Sequence, residues 1–376
     1  MTTPPLHGLR IVELAGIGPG PFAGMMLADH GAEVIRVDRP GVRHDESDVL
    51  ARSRRSVVVD IKSPEGLAMA RDLCRSADGL IEGYRPGVME RLGLGPETLL
   101  ADNPRLVYGR VTGWGQDGPL AHAAGHDINY IALSGVLHTV GSGEGKPVPP
   151  VNYLGDFGGG GMMLAFGMAA ALLAVARGAP GQVIDAAMTE GSAVLAGMTR
   201  GFFTSGRWQD RRGVNILDGG AHFYGTYACR DGGYVAIGSI EPQFYAALRQ
   251  ALELGDDPAF DAQMDPGTWP ALKARLADIF ATRTRDEWCA IMEGTDICFA
   301  PVLSLGEAPR HPHNVARGAF IDVEGQVQPA PAPRFGAPAA MPSRAGKPGA
   351  DTEAVLSDLG YEPEKIASLR EKGVIG

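Results

Sequence analysis

The first forty residues restrict the fold more than any other stretch. Leu9-Arg10-Ile11-Val12-Glu13-Leu14 is a short apolar strand, and Gly16-Ile17-Gly18-Pro19-Gly20-Pro21-Phe22-Ala23-Gly24 turns from it into a helix running to about His30. Ala32-Glu33-Val34-Ile35-Arg36-Val37-Asp38 is a second strand, so the opening is a βαβ unit that predicts an α/β fold with a parallel, doubly wound sheet. Val57 to Ile61, Gly79 to Gly83, Leu106 to Val111 and Gln182 to Ala186 continue the strand series. Between the first two of these, Ser63-Pro64-Glu65 starts a helix by a Ser cap and a Pro at the first helical position. Ligands of open α/β sheets sit at the carboxyl ends of strands, which singles out Arg39, Tyr84, Arg85 and Arg91.

The first turn nearly carries a dinucleotide fingerprint. Gly18, Gly20 and Ala23 fit its glycine spacing, and Asp38 ends the second strand about 20 residues on, where a ribose-binding acid belongs. A nicotinamide-dependent dehydrogenase is therefore one reading. Pro19 and Pro21 remove two N–H donors that a pyrophosphate needs, so a tight strand-to-helix turn is the preferred one.

At 376 residues the chain exceeds one compact core, and two domains are expected. Residues 1–200 read as a large α/β domain, 201–220 as a polar linker, and 221–320 as a smaller α+β domain with a hairpin from Thr226 to Ile237. Residues 321–376 read as a Pro- and Ala-rich connector followed by two short helices. The net charge of −10 argues against nucleic acid or an anionic membrane as partner. Arg36, Arg39, Arg43, Arg52, Arg54, Arg55 and Lys62 cluster against that trend, as a phosphate site or as a solvated surface, since acids are interspersed. Cys74, Cys229, Cys289 and Cys298 lack metal-site spacing, and with no signal peptide read at the start the expectation is a reduced, cytoplasmic protein. The uncharged run Phe157 to Ala176 is of membrane-spanning length, but its glycine-rich opening favours a core helix.

The chemistry concentrates between Gly125 and Gly161. Gly125-His126-Asp127-Ile128-Asn129-Tyr130 opens a Gly/Pro-rich loop that closes on Asn152-Tyr153-Leu154-Gly155-Asp156-Phe157 and four glycines, so Asp156 reads as the N-cap of the apolar helix. An imidazole, a carboxylate and a helix N-terminus are thereby placed at one loop, which suits proton transfer and a developing negative charge. Taken alone, His126 is more often a structural histidine and Asp156 a cap. Met162, Met163, Met168, Met188 and Met198 read as core filling.

Several of these stretches together resemble the type III (formyl-CoA transferase-like) CoA-transferase family, in its α-methylacyl-CoA racemase branch. They are Gly8 to Ala15 with its turn, Leu27 to Asp38, Ile81 to Glu90, Gly113-Trp114-Gly115-Gln116-Asp117-Gly118-Pro119, Gly125 to Tyr130 and Asn152 to Gly158. The resemblance implies a Rossmann-like large domain built from both chain ends, a small central domain, and an interlocked homodimer. It implies that His126 with its helper Glu241 forms one acid/base unit and Asp156 the other, that Asn152 supports them, and that the backbone near Asp127 holds the thioester oxygen. CoA, which is part of the substrate, would be held by Arg39, Lys62, Tyr84, Arg85 and Arg91, and no metal or other cofactor is implied.

The chemistry independently asks for such a set. A single group returns an α-proton to the face it left, so inversion next to a thioester needs two groups flanking a planar enolate. Two alternatives stay open: CoA transfer with Asp156 as nucleophile, and a CoA-ester-binding protein without turnover.

Overall fold

In a computed structural model, residues 3–43, 45–336 and 341–376 are described. The chain forms two compact units, Met1–Ser134, Val151–Leu195 and Gly318–Gly376 in the first and Gly135–Pro150 with Ala196–Arg317 in the second.

The first unit opens with β1 (Arg10–Leu14), α1 (Pro19–Asp29), β2 (Glu33–Asp38), β3 (Arg54–Val58), α2 (Pro64–Arg75) and β4 (Gly79–Glu82). It continues through α3 (Val88–Arg91), α4 (Pro96–Asp102), β5 (Val107–Thr112) and α5 (Asp127–Leu133). The chain departs through α6 (Val136–Thr139) and returns as a π-helix (Tyr153–Met162), α7 (Met163–Ala176), β6 (Val183–Ala187) and α8 (Met188–Leu195). The sheet is wholly parallel in the order β3-β2-β1-β4-β5-β6.

Both faces of this sheet are covered, which is why its strands are nearly continuous apolar runs. Alternate residues point to opposite faces. Val12, Leu14, Ile35, Val57, Leu80 and Tyr108 meet Met69 and Leu73 of α2 and Val355, Leu356, Ile366 and Leu369 from the end of the chain. Ile11, Val34, Ile81, Val107 and Val111 meet Ala23 and Leu27 of α1 and Leu164, Met168 and Val175 of α7.

Strand β3 begins at Arg54, three residues before the expected Val57, because partners neutralise its two arginines. Arg54 Nη2 donates to Glu13 Oε2 at 3.0 Å and to the Pro21 carbonyl at 2.6 Å, while Arg55 Nη1 donates to Glu33 Oε1 at 2.6 Å. Arg52 Nη2 donates to Asp29 Oδ2 at 2.5 Å, and Arg36 Nε to Asp38 at 3.2 Å. Four members of the basic cluster thus serve the architecture, and Arg39, Arg43 and Lys62 are left exposed.

The apolar run after Asp156 also starts earlier than expected. Tyr153–Ala176 is one continuous helical stretch of 24 residues, long and apolar enough by composition to cross a membrane, yet half of its most apolar window is buried within the first unit. Its first ten residues are a π-helix, a form usually confined to a single turn and frequent at functional sites.

The second unit carries α9 (Gly197–Thr204), β7 (Tyr224–Ala228), β8 (Tyr234–Gly238), α10 (Pro242–Ala251), α11 (Trp269–Phe280), α12 (Arg285–Met292) and β9 (Phe299–Val302), and closes with α13 (Pro312–Arg317). The helical stretch from Met188 to Thr204 is broken at Ala196 into α8 and α9. Strands β7, β8 and β9 form an antiparallel sheet in that order, and Phe223, Tyr227, Val235 and Ile237 pack against Leu248, Leu276, Phe280 and Trp288. His222 is buried among these aromatics, its Nε2 2.7 Å from the Tyr245 hydroxyl, and burial holds its imidazole down at about 4, so it is neutral there. It is the structural kind of histidine that His126 resembles when read alone.

After the second unit the chain rejoins the first through the hairpin β10 (Phe320–Val323) and β11 (Gln326–Pro329), then α14 (Thr352–Asp358) and α15 (Pro363–Glu371). Val59 forms an antiparallel bridge with Ile375, so the chain end seals the β3 edge.

Candidate active site

The winding of the sheet reverses between β1 and β4, and the loops leaving their carboxyl ends part at that point. A cavity of about 820 Å³ opens there. Its walls are Gly16 to Pro21 after β1, Gly83 to Pro86 after β4 and Thr112 to Trp114 after β5, closed by His126, Asn129, Tyr130, Asn152, Asp156 and Met188. All of these residues belong to the first unit.

The turn after β1 meets the far wall directly. Gly18 has φ 68°, and a Cβ on it would stand 3.3 Å from Asp156 Oδ2. A carboxylate thus occupies the approach that a dinucleotide pyrophosphate would need, a second reason beside the prolines to set the dehydrogenase reading aside.

His126 is the N-cap of α5 in an extended conformation, and its N–H donates to Asn129 Oδ1 at 3.0 Å. Tyr130, one residue on, is buried with its ring set edge-on to Trp114, the ring centroids 4.8 Å apart, and its hydroxyl donating to the Gly125 carbonyl. Those contacts lock the first turn of α5 and leave the His126 side chain exposed along the cavity wall.

Asp156 lies in the first turn of the π-helix, so its expected role as N-cap is corrected: Asn152 is the N-cap residue, and the cap is supplied from elsewhere. Asp127 Oδ1 accepts the N–H groups of Gly155 at 2.6 Å and of Asp156 at 2.8 Å, satisfying first-turn donors that a helix leaves open. Asn152 Nδ2 donates to Asp156 Oδ2 at 3.0 Å. Burial raises the Asp156 pKa above the ordinary carboxylate value, the Asn152 bond opposes the rise, the Asp127 charge adds to it, and His126 opposes it. The result is a half-buried carboxyl group that holds a proton more readily than a free aspartate.

The glycines on either side of Asp156 are packed closely against neighbouring protein atoms. A Cβ at Gly155 would fall 2.4 Å from Asp127 Oδ1, and at Gly159 or Gly161 it would strike Ser192 or Phe22.

A second cavity of about 450 Å³ lies beside the ends of β1 and β2, lined by Arg36, Asp38, Arg39, Val42, Arg43, Asp45 and Asp48 among others. It shares Leu14, Gly16, Ile17 and Tyr84 with the first, so the two lie side by side. Glu82, wholly buried at the end of β4, accepts the Tyr84 N–H at 2.7 Å and Arg110 Nε at 2.6 Å, which fixes the loop between the cavities.

Of the residues singled out from sequence, the first cavity gathers His126, Asp156, Asn152, Tyr84 and Arg85, and the second gathers Arg39 and Tyr84. Asp127 acts through its buried carboxylate on the π-helix. Lys62 and Arg91 are exposed and line neither cavity. Glu241 belongs to the second unit, as the exposed N-cap residue of α10, and makes no side-chain cap bond. Asn129 also lines the first cavity, and its bond to the His126 N–H carries no sequence signature, because a capping box is marked by Ser or Thr at the cap and Glu or Gln three positions on.

A parallel six-stranded sheet with two adjacent cavities at its switch point, one walled by a histidine and an aspartate, defines the class. The chain belongs to CoA-transferase family III, whose family model matches residues 6–352. It is 48% identical over 373 residues to alpha-methylacyl-CoA racemase of Mus musculus, covering 98% of this chain and 97% of the relative, and the same figures hold for the Homo sapiens racemase. Among solved structures, a CAIB/BAIF family protein from Brucella suis aligns with a TM-score of 0.81 at 27% identity, covering 95% of this chain and all of that one.

Proposed function

We propose that this chain is a cofactor-independent racemase that inverts the α-carbon of 2-methylacyl-CoA thioesters through an enolate. The carrying observation is that His126 and Asp156, fixed on separate helices, line one cavity in a chain 48% identical to two alpha-methylacyl-CoA racemases. One group removes the α-proton from one face while the other delivers a proton to the opposite face. The raised Asp156 pKa suits a carboxyl group that must alternate between acid and base. The Asp127 N–H, the first of α5, has no intrahelical acceptor and is assigned to the thioester oxygen. Asn152 holds Asp156, and Glu241 is assigned to His126 as its helper.

The CoA moiety runs along the two adjacent cavities past Tyr84, with Arg39 and Arg85 as cationic partners and Lys62 and Arg91 adding charge. The working form is an interlocked homodimer in the cytoplasm. Support for a second copy comes from the exposed apolar face of Met162, Phe166 and Leu173, of which Phe166 is 74% exposed. Sedimentation of the purified chain at micromolar concentration should give twice the mass of one chain.

The function is tested by following deuterium into the α-carbon of a 2-methylacyl-CoA in D₂O with no acceptor acid present. Wash-in with loss of optical purity is expected. Absence of exchange, with acyl transfer once a free carboxylic acid is added, would instead select a transferase in which Asp156 attacks the thioester.

A further inference from the structure

Asp127 follows His126 directly, but its carboxylate serves the other proton-transfer group. Its Oδ1 accepts both the Gly155 and the Asp156 N–H, the residue is 7% exposed, and its Oδ2 is buried without a partner. Gly155 lies so close that no side chain would fit between them. The covalent path from His126 to Asp156 leaves the first unit at Gly135 and returns at Val151, so chain connectivity does not set their spacing.

We infer that Asp127 is a positioning residue that ties the start of α5 to the start of the π-helix and holds His126 and Asp156 at a fixed separation across one α-carbon. This rests on the two-base reading above. On one side the tie springs from the residue next to His126, and on the other it lands on the Asp156 backbone itself. A change in the Asp127 side chain is therefore transmitted to both groups, and to the Asp127 N–H that faces the thioester oxygen in that reading.

The same carboxylate acts through its charge. The groups around Asp156 are His126, Asp127 and Tyr130 from α5, Tyr84 and Arg85 from the β4 exit, and the neutral Asn129 and Asn152. The α1 turn and α8 present Gly18, Pro19, Met188 and Ser192, none of them charged. Burial is the largest contribution to the raised Asp156 pKa, and Asp127 is the anion that adds to it. Removing that charge while keeping an acceptor lowers the Asp156 pKa. In the direction that uses Asp156 as base, activity rises with pH through that pKa, so the acid limb of the profile moves to lower pH.

The test measures α-proton exchange of each enantiomer of a 2-methylacyl-CoA in D₂O across pH for the full-length protein and for Asp127→Ala and Asp127→Asn. Asp127→Ala should lose about 100-fold in kcat with KM little changed, the size of effect that a misplaced catalytic group produces. Asp127→Asn, whose amide oxygen still accepts an N–H, should recover most of that loss and show the shifted acid limb for one enantiomer. Wild-type protein that fails to exchange overturns the two-base reading and this one with it. Wild-type exchange together with undiminished kcat in Asp127→Ala, or an unmoved limb in Asp127→Asn, overturns the positioning role alone. Should the alanine variant fail to fold, the asparagine profile decides.

Discussion

His126→Ala and Asp156→Ala are each expected to lower racemisation by roughly 10²–10⁴-fold, the usual worth of a general acid or base, while CoA esters still bind. The two variants should differ in what survives. With His126 gone, Asp156 can still take a proton from its own face and return one to the same side, so one enantiomer exchanges label without inverting. With Asp156 gone, the other enantiomer does so. Deuterium loss from each enantiomer, measured separately in both variants, reads this directly. Equal losses from both enantiomers in both variants would contradict the placement of the two groups on opposite faces.

The largest stability effect is expected at Arg54. Its side chain is 2% exposed, is paired with the wholly buried Glu13, and also holds the carbonyl of Pro21, which walls the first cavity. Arg54→Ala leaves the Glu13 carboxylate buried without its partner, and Glu13 Oε1 already lacks one. Breaking such a pair typically costs about 3–5 kcal/mol, more than the small contribution of exposed pairs such as Arg230 with Glu287. Urea unfolding of the two proteins should show the loss as a lowered midpoint. A difference below about 1 kcal/mol, the range of surface pairs, would mean that water reaches Glu13 when the arginine is removed.

Local signals were the legible ones. The β1 to β2 unit was visible because strand period, turn glycines and a Pro at the helix start all act within a few residues. Ser63 and Pro64 announced α2 in the same way, and Ser63 Oγ does accept the Gly66 N–H at 3.0 Å. The hairpin of β10 and β11 turns at Glu324 and Gly325, with φ 52° and 86°, a local signal masked by the proline-rich composition that follows it.

Non-local partners hid the rest. Asp156 had the local look of a cap, and only the fold could reveal that Asp127, 29 positions earlier, supplies that bond. The arginines of β3 looked like part of a surface patch because their acids, Glu13 and Glu33, lie on other strands. The sequence puts His126 and Asp156 at the two ends of one loop, but their roles as paired acid/base groups come from the family resemblance, since spacing alone does not say that two loop ends share a cavity.

In the reading proposed above, the two cavities that meet at Leu14, Gly16, Ile17 and Tyr84 divide the labour of recognition. A nucleotide tail is common to every CoA ester, so whatever grips it contributes equally to all of them and sorts none from another. Selection among acyl groups must then fall to the far chamber, and a substitution there can retune which thioesters turn over without weakening the anchor that delivers them.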